Sequence, residues 1–169
     1  MKTNKFIILI SLILSLSSCS LLFYSSKDIS ISPDVKTYFV QNFQNNAFNS
    51  PATINIDFSE QLRDKIRKET SLTYAEIDPD ITFSGFIASY DVSSQAPASD
   101  GSSINRLQIS IQVSFNNVKH ENENWENQKF SYYSDFSADK SLNDVQDELI
   151  SEIFDHILDD IINKAFNNW

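Results

Sequence analysis

The chain is poor in the residues that most active-site chemistry requires. Its 169 residues include one cysteine, two glycines and two histidines. With only Gly85 and Gly101, neither a phosphate-cradling loop nor a nucleophile elbow can be written. His120 falls in a polar turn and His156 on the polar side of a helical stretch, and no His/Cys/Asp spacing matches a zinc site. Asp159 and Asp160 are of the type that forms acid/base or glycosidase pairs. Adjacent helix residues point in different directions, however, so a solvated face is the plainer reading. The sequence therefore reads as a non-enzyme, with no cofactor and no metal. Cations are also scarce, 13 Lys and Arg against 23 Asp and Glu, for a net charge of −10. A nucleic-acid partner is not expected, because Lys and Arg must replace phosphate counterions there.

The signals that are present begin at the N-terminus. Lys2 and Lys5 precede an apolar run from Phe6 to Leu16, interrupted by Ser11 and Ser15 and too short for a permanent membrane span. The run ends in Leu16-Ser17-Ser18-Cys19, the spacing of a lipobox. An ordinary signal peptide with an incidental cysteine is the bland alternative. The order of charge, apolar run and lipobox favours lipidation of Cys19. As the sole cysteine it can form no internal disulfide, and acylation gives the thiol a use. Two or more acyl chains, at ~0.8 kcal/mol per buried methylene, make membrane residence stable. Ser20 rather than Asp follows the cysteine, so by resemblance to lipoprotein sorting rules the outer membrane, facing the periplasm, is expected. Loss of residues 1–18 would move the net charge to −12. Residues 19–33 then read as a lipidated tether of at most ~50 Å, and residues 34–169 as one domain.

Within the domain, Val35 to Phe43 reads as a strand and Asn45 to Thr53 as a loop. A helix is expected from about Asp57 to Thr70, with Phe58, Leu62 and Ile66 on one face and an Asp57/Glu60 box at its start. Asp64 and Lys68 could pair along it. Its other face holds Arg63, Lys65, Arg67 and Lys68, read first as a solvated face with cations favourably near the helix end. Ile81 to Val92 alternates but changes phase at Gly85, which suggests a bulge there. Residues 93–103 have the composition of a hairpin loop. Leu107, Ile109, Ile111, Val113 and Phe115 alternate strictly with polar residues, the clearest strand in the chain. Trp125 to Phe136 reads as a fourth strand, and about Asn143 to Asn168 as a long helix with paired apolar residues on each turn. The expected architecture is α+β, order β-α-β-β-β-α, with two helices on one face of a four-stranded, mostly antiparallel sheet.

Four segments carry a likeness to a known family. Ile31-Ser-Pro-Asp-Val-Lys-Thr37, Asn105-Arg-Leu-Gln-Ile-Ser-Ile111, Phe130-Ser-Tyr-Tyr-Ser-Asp-Phe136, and the tail from Asp147 to Trp169 resemble the lipopolysaccharide-assembly lipoprotein LptE family, in its Bacteroidota-type branch. The likeness runs collinearly over the mature chain. It departs in the tether, where Phe23-Tyr-Ser-Ser-Lys-Asp28 stands in place of a Tyr-Ser-Phe-x-Gly stretch. The resemblance implies partnership with the outer-membrane barrel LptD, which a family member plugs and helps assemble, and a role in carrying lipopolysaccharide to the outer leaflet.

Gln108, Ser110, Gln112 and Ser114 form a polar but uncharged strand face. Exposed strands commonly carry Lys or Glu against edge pairing, so this face suits an enclosed, wet lumen as well as an ordinary soluble sheet. For direct contact with lipopolysaccharide phosphates, Arg106, Arg63 and Arg67 are the candidates, because guanidinium forks engage phosphate bidentately. The rival reading is a general periplasm-facing envelope lipoprotein that binds a soluble ligand or peptidoglycan. That reading needs a concave apolar pocket.

Overall fold

The computed structural model describes residues 31–96 and 103–166. The expected signal peptide, Cys19, most of the tether, the tip of the 93–103 loop and residues 167–169 lie outside them. The elements run β1 (Thr37–Val40), β2 (Gln44–Asn45), α1 (Ile54–Glu69), β3 (Thr73–Tyr74), β4 (Ile81–Ser94), β5 (Ile104–Asn117), a 3-10 turn (Glu121–Glu123), β6 (Trp125–Ser137) and α2 (Leu142–Phe166).

The sheet has the spatial order β3-β1-β4-β5-β6, with β2 beside β4 further along from β1. β4, β5 and β6 form the expected antiparallel meander. β1 and β2 are parallel to β4, as a crossover through α1 requires. The architecture is α+β, but the sheet is mixed and six-stranded rather than four-stranded. One extra strand, Thr73–Tyr74, is only two residues long and carries no readable period. The other arises because the strand expected over Val35–Phe43 is interrupted.

That interruption has a physical cause. Gln41 donates to the Phe83 carbonyl at 2.9 Å and Asn46 to the Ile87 carbonyl at 3.0 Å, so the chain stays alongside β4. Between them Phe43 turns into the core, where it is 2% exposed. Its N–H donates to Ser59 Oγ at 3.0 Å, and its carbonyl accepts from Asn55 Nδ2 at 2.8 Å. Side chains of α1 thus replace the sheet partners that Phe43 gives up.

α1 begins three residues before the expected start. Asp57 therefore sits inside the first turn and accepts from the Thr53 hydroxyl at 2.9 Å, and the expected box with Glu60 does not form. Asp64 pairs with Arg67 rather than Lys68. Phe58, Leu62 and Ile66 are fully buried, as their spacing predicts.

The irregularity expected at Gly85 lies instead between Ile87 and Ser89. Phe83, Ile87 and Tyr90 face the core, so the phase changes after Ile87. The role of Gly85 is close approach. A Cβ there would stand 2.1 Å from the Gln112 carbonyl oxygen and 2.7 Å from the Phe43 ring.

Both helices cover the same face of the sheet. Phe58 of α1 meets Phe43 and Phe154 of α2 at 5.0 Å between ring centroids, and Phe166 of α2 reaches Phe83 and Phe115 at 6.2 Å. Lys65 of α1 bridges to Asp159 of α2 at 2.7 Å. Asp159 thereby serves as an interhelical partner, while Asp160 is exposed. Among the described residues no helix packs on the opposite sheet face.

Candidate functional site on the open face of the sheet

Strand register decides which side chains share the open face. Successive rows across β4, β5 and β6 read Ser93–Arg106–Asp135, Asp91–Gln108–Tyr133, Ser89–Ser110–Ser131 and Phe86–Gln112–Lys129. Alternation along β5 puts Leu107, Ile109, Ile111, Val113 and Phe115 under the helices and leaves these polar residues outward. Neighbouring hydroxyls and amides satisfy one another. Ser110 and Ser131 Oγ atoms lie 3.0 Å apart, and Gln108 Nε2 donates to Ser131 Oγ at 3.0 Å. Ser110 is only 2% exposed beneath its longer neighbours.

The four charged residues in these rows, Asp91, Arg106, Lys129 and Asp135, are two of each sign. Arg106 and Asp135 cancel directly through a two-pronged contact, Nε to Oδ1 at 2.7 Å and Nη2 to Oδ2 at 2.8 Å. The hydrogen bond from Arg106 holds the Asp135 carboxyl below its ordinary range, and Asp135 in turn raises the guanidinium. Arg106 also lies 3.5 Å above the centre of the Tyr133 ring, a cation–π contact.

The charge of the molecule is carried elsewhere. Asp144, Asp147, Glu148, Glu152, Asp155 and Asp160 are exposed on α2, on the opposite side of the sheet. The open face is therefore close to neutral and rich in hydrogen-bonding groups, while the helical layer is acidic. Short-range hydrogen bonding is available on the first, and long-range repulsion of anions comes from the second.

The three arginines singled out from the sequence fall in two places. Arg106 is on the open face. Arg63 and Arg67 belong to α1, beside Tyr38 and Tyr74 at the β1–β3 edge, where both line one shallow cleft. Arg63 is half sunk, bonded to Glu60 at 2.8 Å and to the Val40 carbonyl at 3.0 Å. Arg67 pairs with Asp64 but remains 68% exposed. Tyr133 and Asp135, the partners of Arg106, were not singled out. Sequence spacing carried no sign of them, because Arg106 and Asp135 meet only through cross-strand register.

A cleft at the domain's end, about 270 Å³, is lined by residues that include Asn117, Glu123 and Lys164. It is smaller and more polar than sites that take a drug-sized ligand. Among the described residues there is no His/Cys/Asp/Glu group able to hold a metal, and no helix is long and apolar enough to cross a membrane.

Fold and surface together define a two-layer α+β domain with an acidic helical side and a neutral, open sheet side. The family described as "LptE: Lipopolysaccharide-assembly" matches residues 35–165, and the chain belongs to that family. No curated protein matches it significantly. Among solved structures, the hypothetical protein CT253 from Chlamydia trachomatis has a similar fold, with a TM-score of 0.54 at 9% identity, covering 79% of this chain and 99% of that one. A minor lipoprotein from Acinetobacter baumannii aligns with a TM-score of 0.47 at 14% identity, over 79% of this chain and 92% of that one.

Proposed function

We propose that this LptE-family chain is an outer-membrane lipoprotein, facing the periplasm, that assembles with and plugs an LptD-type barrel. In that role it supports lipopolysaccharide transport to the outer leaflet. Residues 1–18 are removed, Cys19 carries the acyl chains, and residues 19–33 tether the domain that starts at residue 34. The observation that carries the reading is the open sheet face, whose four central rows hold two charges of each sign in a chain of net charge −10. A barrel lumen is lined by polar side chains and water. The serines and glutamines of this face can exchange hydrogen bonds with such a wall, and Arg106 and Asp135 would meet it already paired.

Direct contact with lipopolysaccharide is a dependent part of the proposal. Arg67, the most exposed of the three arginines, is the freest to reach a phosphate, with Arg63 beside it in the same cleft. Arg106 would act separately, because Asp135 already occupies its fork. Replacing all three with Gln is expected to weaken lipid A binding, and unchanged binding would reject this part alone.

The rival reading, an envelope lipoprotein for a soluble ligand or peptidoglycan, depends on a deep apolar pocket, and the polar lining of the cleft at the domain's end does not favour it. Affinity purification of the full-length lipoprotein from detergent-solubilised outer membrane tests the main proposal. A large barrel protein should co-purify in stoichiometric amount. A monodisperse chain recovered alone, or a Cys19 thiol found unmodified by mass spectrometry, would count against it.

A further inference from the structure

The described residues begin with a turn that lines a cavity. The Val35 N–H donates to the Ser32 carbonyl at 3.0 Å, folding the segment back on itself. Ile31, Ser32 and Val35 form one wall of the cavity of about 270 Å³, and Asn117, Glu123 and Phe166 stand among the others. Val35 is buried, so lifting this turn would open apolar surface to water.

Two side-chain contacts fix the turn, one on each side of Val35. Downstream, Asp80 Oδ2 accepts the N–H groups of Lys36 at 2.8 Å and Thr37 at 3.0 Å and the Thr37 hydroxyl at 3.1 Å. The Asp80 N–H donates to Thr37 Oγ1 at 2.9 Å, closing the loop of bonds. At the turn itself, Asp34 Oδ1 lies 3.1 Å from His120 Nε2 in the β5–β6 connection. His120 has a firm base, since its N–H donates to Oδ1 of the buried Asn117 at 3.1 Å, and Asn117 Nδ2 donates to Glu123 at 2.9 Å.

We propose that the Ser32–Val35 turn is a pH-sensitive flap over this cavity, hinged where Asp80 holds Lys36 and Thr37 and latched by Asp34 against His120. The charged groups around the latch are Asp34 itself, Lys119 and Glu123, on the hinge side Asp80 and Lys36, and from α2 Lys164, which lines the same cavity. Hydrogen bonding to Asp34 holds the imidazole above its ordinary value, and the carboxylates of Asp34 and Glu123 add to this. The latch is therefore complete below the ordinary imidazole value and is lost as pH rises through the raised one. The hinge runs the other way. Hydrogen bonds from Lys36 and Thr37 hold the Asp80 carboxyl below its ordinary range, so it stays charged while His120 titrates. Opening the flap lengthens the segment leading into the domain and uncovers Ile31 and Val35, while β1 stays docked.

The test is hydrogen exchange read by NMR on the full chain, corrected for intrinsic rates, between about pH 5.5 and pH 8. Protection of the Val35 amide should fall about threefold across that range, the scale of an exposed ion pair, while the Thr37 amide stays constant. In Asp34→Asn and His120→Gln the Val35 amide should be less protected at the acid end and insensitive to pH. A flat profile for Val35 in the unmodified chain would overturn the proposal. So would a normal pH response in Asp34→Asn.

Discussion

The ring of Phe43 occupies the space that a side chain on Gly85 would need. A Cβ on Gly85 would lie 2.7 Å from that ring and 2.1 Å from the Gln112 backbone oxygen. The interrupted strand of β1 and β2, the capture of its backbone by α1 and the close pairing of β4 with β5 therefore meet at a single glycine.

Gly85→Ala is expected to destabilise the domain by about 1–3 kcal/mol, the usual cost of overpacking a core. Urea denaturation monitored by tryptophan fluorescence measures it. Shrinking the ring with Phe43→Leu should not restore stability, because the Gln112 contact is with backbone and cannot move aside.

Ser59 and Asn55 act as one clamp on Phe43. Ser59→Ala leaves the buried Phe43 N–H without its partner and should cost about 1–3 kcal/mol. Asn55→Ala removes the bond to the Phe43 carbonyl. The double variant should cost less than the sum of the two, because both act on the same backbone segment.

Acid stability should depend on Asp80. Hydrogen bonds from the Lys36 and Thr37 N–H groups depress its carboxyl. Its contribution is therefore present above the ordinary carboxylate value and is lost as pH falls through the depressed one. Asp80→Asn is expected to flatten the acid limb of a stability–pH profile. An unchanged acid limb in that variant would show that other carboxylates control it.

Arg106→Gln should release the Asp135 carboxyl toward its ordinary value, seen as a shift in its NMR titration. Tyr133 should change environment in the same spectra, since Arg106 lies over its ring. Titration of Asp135 at its depressed position in the variant would mean that Arg106 is not the cause.

The parts of the molecule with a strong period were legible in the sequence. The alternation from Leu107 to Phe115 and the spacing of Phe58, Leu62 and Ile66 each match a buried face. The misses have local causes. Phe86, Ala88, Tyr90 and Val92 suggest one continuous alternation after Gly85, yet Ile87 and Tyr90 face the core and Phe86 lies on the open side. With apolar residues on both faces, the pattern could not locate the irregularity. The two residues of β3 are too few to show a period. On the open face, the neutral row on β5 was readable, but its pairing with Ser131, Tyr133 and Asp135 was not. Register between strands depends on the turns and on the whole core, which local spacing does not contain.

In vivo photo-crosslinking from the open face tests the account most directly. A photoreactive residue at Gln112, on the open face of β5, is expected to crosslink to one large outer-membrane barrel, while one at exposed Glu148 on acidic α2 should do so much less. A Gln112 probe that captures no barrel in cells where the lipoprotein is present and folded would contradict the claim that this face meets the barrel wall.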